Sequence, residues 1–401
     1  MTGPVNVAHI ITKLELGGAQ QNTLFTVSHL NRARFRPLLI TGEPGLLDRE
    51  ARTLSGVEFH QVPLLRRPIR PVADLRALLA LTRLLRRLSP AIVHTHSSKA
   101  GILGRWAARL AGVPIIVHTI HGFGFTRYQH PLVRAAFVAL ERRTARFTTR
   151  FFAVSEANRR LGIELGLFPA DRCIVLRSGV DLHAFRRVRV DTAAKKRELG
   201  LEPGQPVVGM IAPLKPQKAP IDFVHLAALV HRTRPEARFV LAGDGELRGA
   251  VEEEAARLGL SGTLMLTGWR RDVAELMRCF DVFALTSLWE GLPRVYLEAL
   301  AGGVPVVGTR VDGAAEVIRE GVNGYLVEPG DIRGMADRVL DLLAHPDEAA
   351  RMGQKGASLP QEFDIRDMLR RLEGEYDRLV GDQEQGGLLR AASGYGTPAQ
   401  H

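Results

Sequence analysis

The carboxylates with the most suggestive spacing are Glu290 and Glu298, which have seven residues between them. An apolar run over 281–286, just before them, predicts a buried strand. Pro293 suits the first turn of a helix, because its missing N–H would be unpaired there anyway. A Gly-Gly pair suits the helix's end, and a second apolar run follows it. The stretch therefore predicts a strand–loop–helix–strand unit, with Glu290 in the loop and Glu298 in the helix.

The start of this helix is suited to binding a nucleotide sugar. Free N–H groups and the positive end of the helix dipole favour a phosphate. A carboxylate on either side could accept hydrogen bonds from sugar hydroxyls. A solvated helix face often produces the same glutamate spacing, so the spacing alone leaves both interpretations open. The residues that would surround the ligand are Gly291, Leu292, Pro293 and Arg294.

The order of acid, glycine, short loop, proline, acid, Gly-Gly and strand resembles the retaining glycosyltransferases of family four. Their signature is a Glu-x7-Glu motif in the C-terminal half of a GT-B fold. In that family the first glutamate contacts the donor sugar and the second contacts the nucleotide ribose. The resemblance therefore implies these roles for Glu290 and Glu298. It covers nearly the whole chain to about residue 380 and is strongest over 207–329.

Near the N-terminus, Gly17 and Gly18 lie where a predicted strand turns into a predicted helix. Glycines at such a turn let backbone amides approach a ligand closely, although a plain tight turn fits the residues equally well. Members of the family carry Gly-Gly-Ala-Glu here, beside the donor phosphates. This chain has Gln20 in place of the glutamate, which leaves the role of the loop intact.

Four histidines, His94, His96, His118 and His121, lie at the ends of two neighbouring predicted strands. Zinc is one interpretation, because imidazoles are common zinc ligands. No cysteine or aspartate is spaced to complete such a site, and no Asp-x-Asp is present, so we expect no metal. Histidines at strand ends more often line a ligand crevice. His121, followed by Gly-Phe-Gly, resembles the family's histidine that faces the donor sugar near its anomeric carbon.

Two lysines, Lys215 and Lys218, follow the first strand predicted for the second half. They could neutralise a diphosphate, although exposed lysines are usually only solvated. The family holds the donor phosphates here with an Arg and a Lys-Gly, and Lys218 matches the lysine. Pro213 stands where the arginine is expected and Ala219 where the glycine is expected. Lys215 could replace the arginine as a point charge, without its fork geometry.

Two further positions are candidates for binding the nucleotide. Gly243 opens a Gly-Asp-Gly turn that approximates a dinucleotide fingerprint, but the third glycine is misplaced and the turn follows the second strand. NAD binding is therefore not predicted, and the same turn is familiar in the family's nucleotide domain. Trp269 is either a surface aromatic or a residue that stacks on the base.

Length and composition describe an ordinary globular chain. At 401 residues, with 45% hydrophobic and 24% charged residues, two domains of about 200 residues are expected. The sequence has no run of about 18 apolar residues, so no membrane-spanning helix is predicted. The N-terminus lacks the order of a signal peptide, and Cys173 and Cys279 are isolated. These features predict a cytoplasmic protein.

The charge is unevenly distributed along the chain. Residues 1–200 hold 32 Lys and Arg against 13 Asp and Glu, whereas the whole chain has a net charge of +11. Such asymmetry suggests that the first half meets a polyanion. That half has no recognisable nucleic-acid motif, and its aromatics do not interleave with the arginines, so nucleic acid is not predicted. An anionic membrane surface is the favoured partner, with arginine enrichment from a GC-rich genome as the simpler alternative.

Strand and helix patterns alternate along both halves, which predicts βαβ units and parallel sheets. The expected fold class is α/β, GT-B-like, with two doubly wound Rossmann-like αβα domains facing each other across a cleft. The expected boundaries are 1–190 for the acceptor-side domain, 191–364 for the nucleotide-sugar domain, 365–380 for a helix that crosses back to the first domain, and 381–401 for a disordered tail.

The resemblance implies transfer of a sugar from a nucleotide diphospho-sugar to an acceptor hydroxyl, with retention at the anomeric carbon and without a cofactor. Glu290, His121 and Lys218 are the expected catalytic residues. The expected acceptor is a saccharide or a lipid-linked sugar in cell-surface polysaccharide or glycolipid biosynthesis, reached at the cytoplasmic face of the membrane. The alternatives are a nucleotide-sugar epimerase of the same fold and a non-catalytic sugar- or lipid-binding module.

Overall fold

The computed structural model describes residues 3–393, which form two compact units. The first unit comprises the chain up to Val154, residues 159–176 and the chain from Arg366 on. The second comprises 155–158 and 177–365. The boundary therefore precedes the one expected at residue 190, because the segment after Arg177 pairs within the second unit. There Val180 donates to the carbonyl of Phe363 at 2.9 Å.

The first unit contains a seven-stranded parallel sheet in the order β3-β2-β1-β4-β5-β6-β7. The chain starts in the middle, moves outward to one edge and returns to the middle before building the other edge. The strands are β1 (Val5–Ile11), β2 (Phe35–Thr41), β3 (Glu58–Gln61), β4 (Ile92–His96), β5 (Ile115–Ile120), β6 (Arg150–Ala153) and β7 (Cys173–Val175). The helices between them are α1 (Gly18–His29), α2 (Asp48–Arg52), α3 (Pro71–Leu88), α4 (Ser98–Ala111), α5 (Pro131–Ala145) and α6 (Glu156–Glu164), whose first turn belongs to the second unit.

The second unit contains a six-stranded parallel sheet in the order β10-β9-β8-β11-β12-β13, built outward from the middle in the same way. Its elements are α7 (Leu182–Arg187), α8 (Thr192–Glu198), β8 (Val207–Ile211), α9 (Pro220–Thr233), β9 (Arg238–Ala242), α10 (Arg248–Arg257), β10 (Leu264–Gly268), α11 (Val273–Met277), β11 (Val282–Leu285), α12 (Arg294–Ala301), β12 (Val306–Thr309), β13 (Gly324–Val327), α13 (Ile332–Ala344) and α14 (Pro346–Ala357).

The long helix α15 (Ile365–Ser393) ends the described chain and, from Arg366, belongs to the first unit. The tail predicted to be disordered over 381–401 therefore starts as helix, and residues 394–401 lie outside the described residues. Apolar side chains on one side of α15, such as Leu372 and Tyr376, are buried. Among the described helices, none combines the length and apolar character that crossing a membrane requires.

Both sheets are covered by helices on their two faces, as the near-continuous apolar strands predict. In β4 and β5 the buried side chains alternate between the faces. Thr95 and His118 share the face under α4, where a Cβ at Gly101 would lie 2.6 Å from the His118 ring. His94 lies on the other face, where it contacts Tyr376 of α15. The prediction of two doubly wound αβα units is therefore confirmed.

Two middle strands in each sheet, β1 and β4 in the first and β8 and β11 in the second, mark the point where the strand order reverses. In doubly wound sheets the crevice at the carboxyl ends of such a strand pair is where ligands bind. Each unit is therefore expected to carry its functional side chains in the loops that follow these strands.

Candidate functional site

In the second unit, an ion pair joins the loops after β8 and β11. The ammonium group of Lys218 contacts the Glu290 carboxylate, and the two side chains expose only 13% and 8% of their surfaces. These residues are 72 positions apart in the chain. The structure therefore brings together, at the strand-order reversal, two of the residues predicted to be catalytic.

Two further side chains hold Glu290 in place. The hydroxyl of Ser287 donates to Glu290 Oε1 at 2.7 Å. The backbone N–H of Glu290 donates to Asp312 Oδ2 at 2.7 Å, and Asp312 itself has a positive φ of 33°. Sequence reasoning missed both residues. The Asp-Gly dipeptide at 312–313 is a turn signal that could have drawn attention to Asp312.

The loop after β8 is held against the loop after β11 by hydrogen bonds from side chains to backbone carbonyls. Thr286 donates its hydroxyl to the carbonyls of Lys218 and Ala219, each at 2.9 Å. Gln217 donates its side-chain amide to the carbonyl of Trp289 at 2.8 Å. Lys215 begins the short helical turn that ends at Lys218. These contacts keep the Lys218 ammonium beside Glu290.

Ala219 adopts φ 43° and ψ 56°, the left-handed conformation. A side chain in this region is strained by about 1–2 kcal/mol, which glycine avoids. The position where the family resemblance led us to expect glycine is thus one whose backbone favours glycine. The loop keeps its shape although the residue is alanine.

The Glu290 loop leads directly into α12. Gly291 and Leu292 are buried, Pro293 is the N-cap, and Arg294 is the first helical residue. Gly291 accepts a hydrogen bond from the N–H of Gly313 at 3.2 Å. The predicted helix start is therefore displaced by one residue from Pro293. At the other end Gly303 has φ 77°, the left-handed residue that the Gly-Gly pair predicts.

Glu298 lies one turn into α12 and exposes 13% of its side chain. Burial raises the pKa of Glu298, against the opposing effect of the cations Arg294 and Lys218. Arg294 Nη2 lies 3.9 Å from Glu298 Oε1, and burial lowers the pKa of this guanidinium. The Arg294 side chain also donates to the carbonyl of Gly179 at 3.1 Å. Glu298 is thus a largely buried carboxylate separate from the ion pair of Glu290.

Two predicted nucleotide-binding residues lie on the other side of β8 from Glu290. Gly243 follows β9 and donates its N–H to the carbonyl of Gly268 at 2.9 Å. A Cβ at Gly243 would lie 1.9 Å from the carbonyl oxygen of Ala212, so only glycine fits. Trp269 follows β10 and exposes 37% of its surface. The structure places both at the same sheet edge as Lys218.

In the first unit, Gly17 is the N-cap of α1 and Gly18 is its first residue. Gly17 has an extended backbone, with φ −137° and ψ 161°, so the turn does not require its conformational freedom. A Cβ there would lie 2.6 Å from the side-chain oxygen of Gln20. The two glycines therefore form the predicted strand-to-helix turn after β1.

The four predicted histidines divide between the two faces of the first sheet. His118 lies under α4 and contacts the Thr95 hydroxyl at 2.9 Å. His94 and His96 lie on the other face with His9 of β1, and His96 Nδ1 is 3.2 Å from His121 Nε2. Sequence reasoning missed His9, although a histidine inside the apolar run of β1 is the signal that could have identified it.

His9, His94 and His96 each offer a nitrogen within 4.8 Å of the others, a spacing compatible with a metal ion. His9 Nδ1 lies 3.0 Å from His96 Nε2, which is hydrogen-bonding distance. His94 is paired at both nitrogens, with Tyr376 at 2.5 Å and Thr119 at 2.7 Å. Burial lowers the pKa values of all three rings, and that of His9 to about 3. Each ring therefore has a hydrogen-bond partner in this cluster, and burial favours its neutral form.

Comparison with known families matches both units. Residues 191–359 match the family "Glycosyl transferases group 1", and residues 17–179 match the "Glycosyl transferase 4-like domain". The chain is 34% identical over 351 residues to UDP-Gal:alpha-D-GlcNAc-diphosphoundecaprenol alpha-1,3-galactosyltransferase of Escherichia coli, covering 85% of this chain and 90% of that protein. It is 25% identical to N,N'-diacetylbacillosaminyl-diphospho-undecaprenol alpha-1,3-N-acetylgalactosaminyltransferase of Campylobacter jejuni, covering 79% and 84%.

The fold is shared with solved glycosyltransferase structures. Anabaena Alr3699/HepE in complex with UDP and glucose superposes with a TM-score of 0.80 at 21% identity, covering 93% of this chain and all of that one. WaaG, a glycosyltransferase involved in lipopolysaccharide biosynthesis, superposes with a TM-score of 0.76 at 15% identity, covering 92% and 98%. Both sequence relatives are named as transferases, and neither is named as an epimerase or a binding module. The chain belongs to the group 1 glycosyltransferases, with a 4-like N-terminal domain and the GT-B fold.

Proposed function

We propose that this glycosyltransferase moves a hexose from a nucleotide diphospho-sugar to a sugar linked through diphosphate to a polyprenyl lipid, with retention at the anomeric carbon. The observation that carries the proposal is the ion pair of Lys218 and Glu290 at the strand-order reversal of the second sheet. The Escherichia coli relative supports the acceptor class, since its name specifies a diphosphoundecaprenol-linked sugar.

Lys218 stabilises the leaving group in this mechanism. Departure of the nucleoside diphosphate leaves negative charge, and preorganised donors at that position lower the barrier. Lys218 supplies a cation, with N–H groups at the start of α12 and the nearby Lys215 as further donors. When the diphosphate binds, it competes with Glu290 for the same ammonium group.

The two carboxylates have separate roles. Glu290, in the loop, orients the donor sugar through its hydroxyls, whereas Glu298, within α12, accepts from the ribose. A retaining glycosidase uses a carboxylate pair as nucleophile and acid. We do not assign that chemistry here, because Glu290 accepts from Ser287 and Lys218 and Glu298 serves the ribose. The family resemblance assigns His121 a role at the donor sugar, near its anomeric carbon.

The decisive experiment is a transfer assay with the full chain. A panel of nucleotide sugars, starting with UDP-galactose, is incubated with alpha-D-GlcNAc-diphosphoundecaprenol, and the product linkage is determined by NMR. We expect a product with the anomeric configuration of the donor. An inverted linkage contradicts retention. Epimer formation without acceptor, or turnover at background with every donor and acceptor, contradicts transfer itself.

Transfer is also proposed to be independent of a metal ion. In the second unit the predicted phosphate site holds lysines, and the sequence has no Asp-x-Asp for a metal–diphosphate bridge. Product formation should therefore be unchanged in EDTA. Activity that EDTA abolishes and magnesium or manganese restores contradicts this proposal.

A lipid-linked acceptor requires contact with a membrane, and the first unit has a suitable surface. Large apolar side chains are exposed at and before the first turns of α3 and α5, among them Leu132 at 74%, Ile69 at 68% and Val72 at 68%. Exposed arginines, including Arg70 and Arg76, lie between them. We call this the apolar–basic surface; its apolar members are Ile69, Val72, Leu75, Leu79, Tyr128, Leu132, Val133 and Leu140.

The members in or near the first turns of α3 and α5 share one edge of the first sheet, whereas Leu79 and Leu140 lie further along these helices. The helices α3, α4 and α5 each follow a strand of that parallel sheet, so their N-termini lie at its carboxyl edge. Lys99 at the start of α4 pairs with Asp74 of α3 at 2.6 Å. Gly124, before α5, packs against Ser98, also at the start of α4. His121 follows β5 and therefore lies at this same edge of the sheet.

Only some of the leucines of α3 belong to the apolar–basic surface. Leu81 and Leu85 are buried in the core and Leu78 packs against it, so they cannot insert into lipid. The exposed members Leu75 and Leu79 remain. Each basic residue near an anionic surface contributes about 1 kcal/mol, so a few arginines suffice for reversible binding.

Co-sedimentation with vesicles tests this surface. The protein should bind vesicles containing anionic lipid, and binding should weaken as salt is raised, because charges are screened over about 8 Å at physiological ionic strength. The double variant Val72→Ser and Leu132→Ser should bind less. Leu110→Ser is the matched control, since Leu110 is 48% exposed near the end of α4, at the opposite edge. An equal loss of vesicle binding in Leu110→Ser contradicts the proposal. Binding that does not change with lipid charge or salt also contradicts it.

A further inference from the structure

A continuous chain of hydrogen-bonding contacts runs through the interior of the first unit to His121. We call it the imidazole chain. Its links are Thr119 Oγ1 to His94 Nε2 at 2.7 Å, His94 Nδ1 to Tyr376 Oη at 2.5 Å, Tyr376 Oη to His9 Nε2 at 3.4 Å, His9 Nδ1 to His96 Nε2 at 3.0 Å, and His96 Nδ1 to His121 Nε2 at 3.2 Å.

Four elements of the first unit build the imidazole chain. β1 supplies His9, β4 supplies His94 and His96, β5 supplies Thr119, and α15 supplies the fully buried Tyr376. Burial makes the charged forms unfavourable, and the pKa values of these three histidines are lowered. Each buried ring is therefore neutral near pH 7 and carries one proton, on either Nδ1 or Nε2. Only His121, at the end of the chain, is partly exposed.

The hydroxyl of Tyr376 decides the direction of the chain, because it has one proton to donate and two imidazole nitrogens within reach. His94 Nδ1 is nearer, at 2.5 Å against 3.4 Å for His9 Nε2, so Tyr376 donates to His94. Tyr376 then accepts from His9 Nε2–H. It follows that His9 Nδ1 accepts from His96 Nε2–H, and His96 Nδ1 accepts from His121 Nε2–H. Every ring in the chain donates from Nε2 and accepts at Nδ1.

We propose that Tyr376 and His9 are positioning residues for His121, because the imidazole chain holds the His121 proton on Nε2 and makes Nδ1 a hydrogen-bond acceptor. The inference rests on the proposed role of His121 beside the donor sugar. An acceptor nitrogen suits that role, since sugar hydroxyls can donate to it. α15 would thus control the polarity of His121, which follows β5.

Removing the Tyr376 hydroxyl should reverse the direction of hydrogen-bond donation along the imidazole chain. In Tyr376→Phe the N–H of His9 Nε2 would face an apolar ring, and a buried N–H without an acceptor is more costly than an unpaired lone pair. His9 should then move its proton to Nδ1 and donate to His96. His96 should in turn donate from Nδ1 to His121 Nε2. The His121 proton is therefore expected on Nδ1 in this variant.

Long-range ¹H–¹⁵N correlation spectra of the full chain labelled with ¹⁵N-histidine report the tautomer directly, and His121→Gln assigns the signal. We expect wild-type His121 to be protonated on Nε2 and Tyr376→Phe to shift the proton to Nδ1. The matched control is Val93→Ala, which removes methyl groups from the opposite face of β4 and leaves the chain intact. It should destabilise the fold without changing the His121 tautomer.

The kinetic readout accompanies the spectra. Tyr376→Phe should lower kcat about tenfold, the factor that corresponds to ~1.4 kcal/mol, or one hydrogen bond in the transition state. Val93→Ala should lower Tm without lowering kcat in this way. The spectra do not require an active protein. A failure of the proposed transfer reaction can therefore be distinguished from a failure of the imidazole chain to set the His121 tautomer.

Three outcomes overturn the inference. Wild-type His121 protonated on Nδ1, or an unchanged His121 tautomer in Tyr376→Phe, shows that the chain does not set the proton position. A shifted tautomer with unchanged kcat shows that the proton position of His121 has no part in transfer.

Discussion

The strand-order reversals of the two sheets have the same topology and opposite chemistry. In the first unit, β1 and β4 carry neutral histidines that hydrogen-bond to one another and to Tyr376. In the second, the loops after β8 and β11 carry the charges of Lys218 and Glu290. Neutral groups need only hydrogen-bond partners in a buried site, whereas buried charges need opposite charges as well. The fold therefore provides two crevices, and the side chains decide which one suits a diphosphate.

Lys218→Met should produce the largest effect, because it removes a charge whose partner stays buried. Breaking such a pair costs about 3–5 kcal/mol of unfolding free energy, and loss of a donor to the leaving group lowers kcat about 10²–10³-fold. Urea denaturation and the transfer assay measure the two effects separately.

The double variant Lys218→Met and Glu290→Gln serves as the control for this prediction. It removes both charges, so it should recover much of the unfolding free energy while transfer stays low. Recovery of transfer together with stability contradicts a direct role of Lys218 at the leaving group.

Glu290→Gln and Glu298→Gln should separate the two carboxylates of the second unit. Each loses one charged hydrogen-bond partner, which costs ~1.5–3 kcal/mol, or about tenfold to a hundredfold. Glu290→Gln should mainly lower kcat, and Glu298→Gln should mainly weaken nucleoside-diphosphate binding, measured by calorimetry. Equal loss of nucleotide affinity in both variants contradicts the division of roles.

The difference in Tm between Glu298→Gln and wild type should depend on pH in a defined direction. Burial raises the pKa of Glu298 above its usual value of 4.5, so the folded state holds this proton to higher pH than the unfolded state does. The stability that Glu298 contributes is therefore complete below pH 4.5 and is lost as pH rises through the raised pKa. Relative to wild type, the Tm of Glu298→Gln should rise over this window.

Glu253→Gln is the matched control for the pH series, because Glu253 is an exposed glutamate of the same unit. An equal rise of Tm in this control contradicts burial of Glu298 as the cause of the trend. A Tm difference for Glu298→Gln that falls as pH rises shows that the charged form of Glu298 is favoured in the fold.

The smallest effect is expected from Ala219→Gly, which relieves the strain of a left-handed alanine in the loop after β8. We expect a gain of ~0.5–1 kcal/mol, since relief of the strain exceeds the added flexibility of the unfolded chain. Ala136→Gly, at an exposed position within α5, should instead lose about 1 kcal/mol. Thermal unfolding of both variants checks the opposite signs, and a loss in Ala219→Gly contradicts strain at this position.

Local sequence patterns predicted the elements around the candidate site well. The strand, loop, helix and strand around Glu290 and Glu298 form as expected, because apolar runs, a proline and a Gly-Gly pair act over a few residues. α9 (Pro220–Thr233) likewise begins at a proline, whose missing N–H suits the first turn of a helix. The predicted catalytic roles of Glu290, His121 and Lys218 remain predictions.

Local patterns predict the alternation of strands and helices, and hence two parallel sheets, since periodicity and turn residues act over a few positions. Which residues meet depends on the folded arrangement of each unit. Lys218 reaches Glu290 across 72 positions, and Tyr376 reaches His9 across 367 positions. The folded arrangement also decides which leucines of α3 face the core and which face solvent. Strand order and register set these contacts, and they follow from the packing of the whole sheet, which no short stretch of the chain encodes.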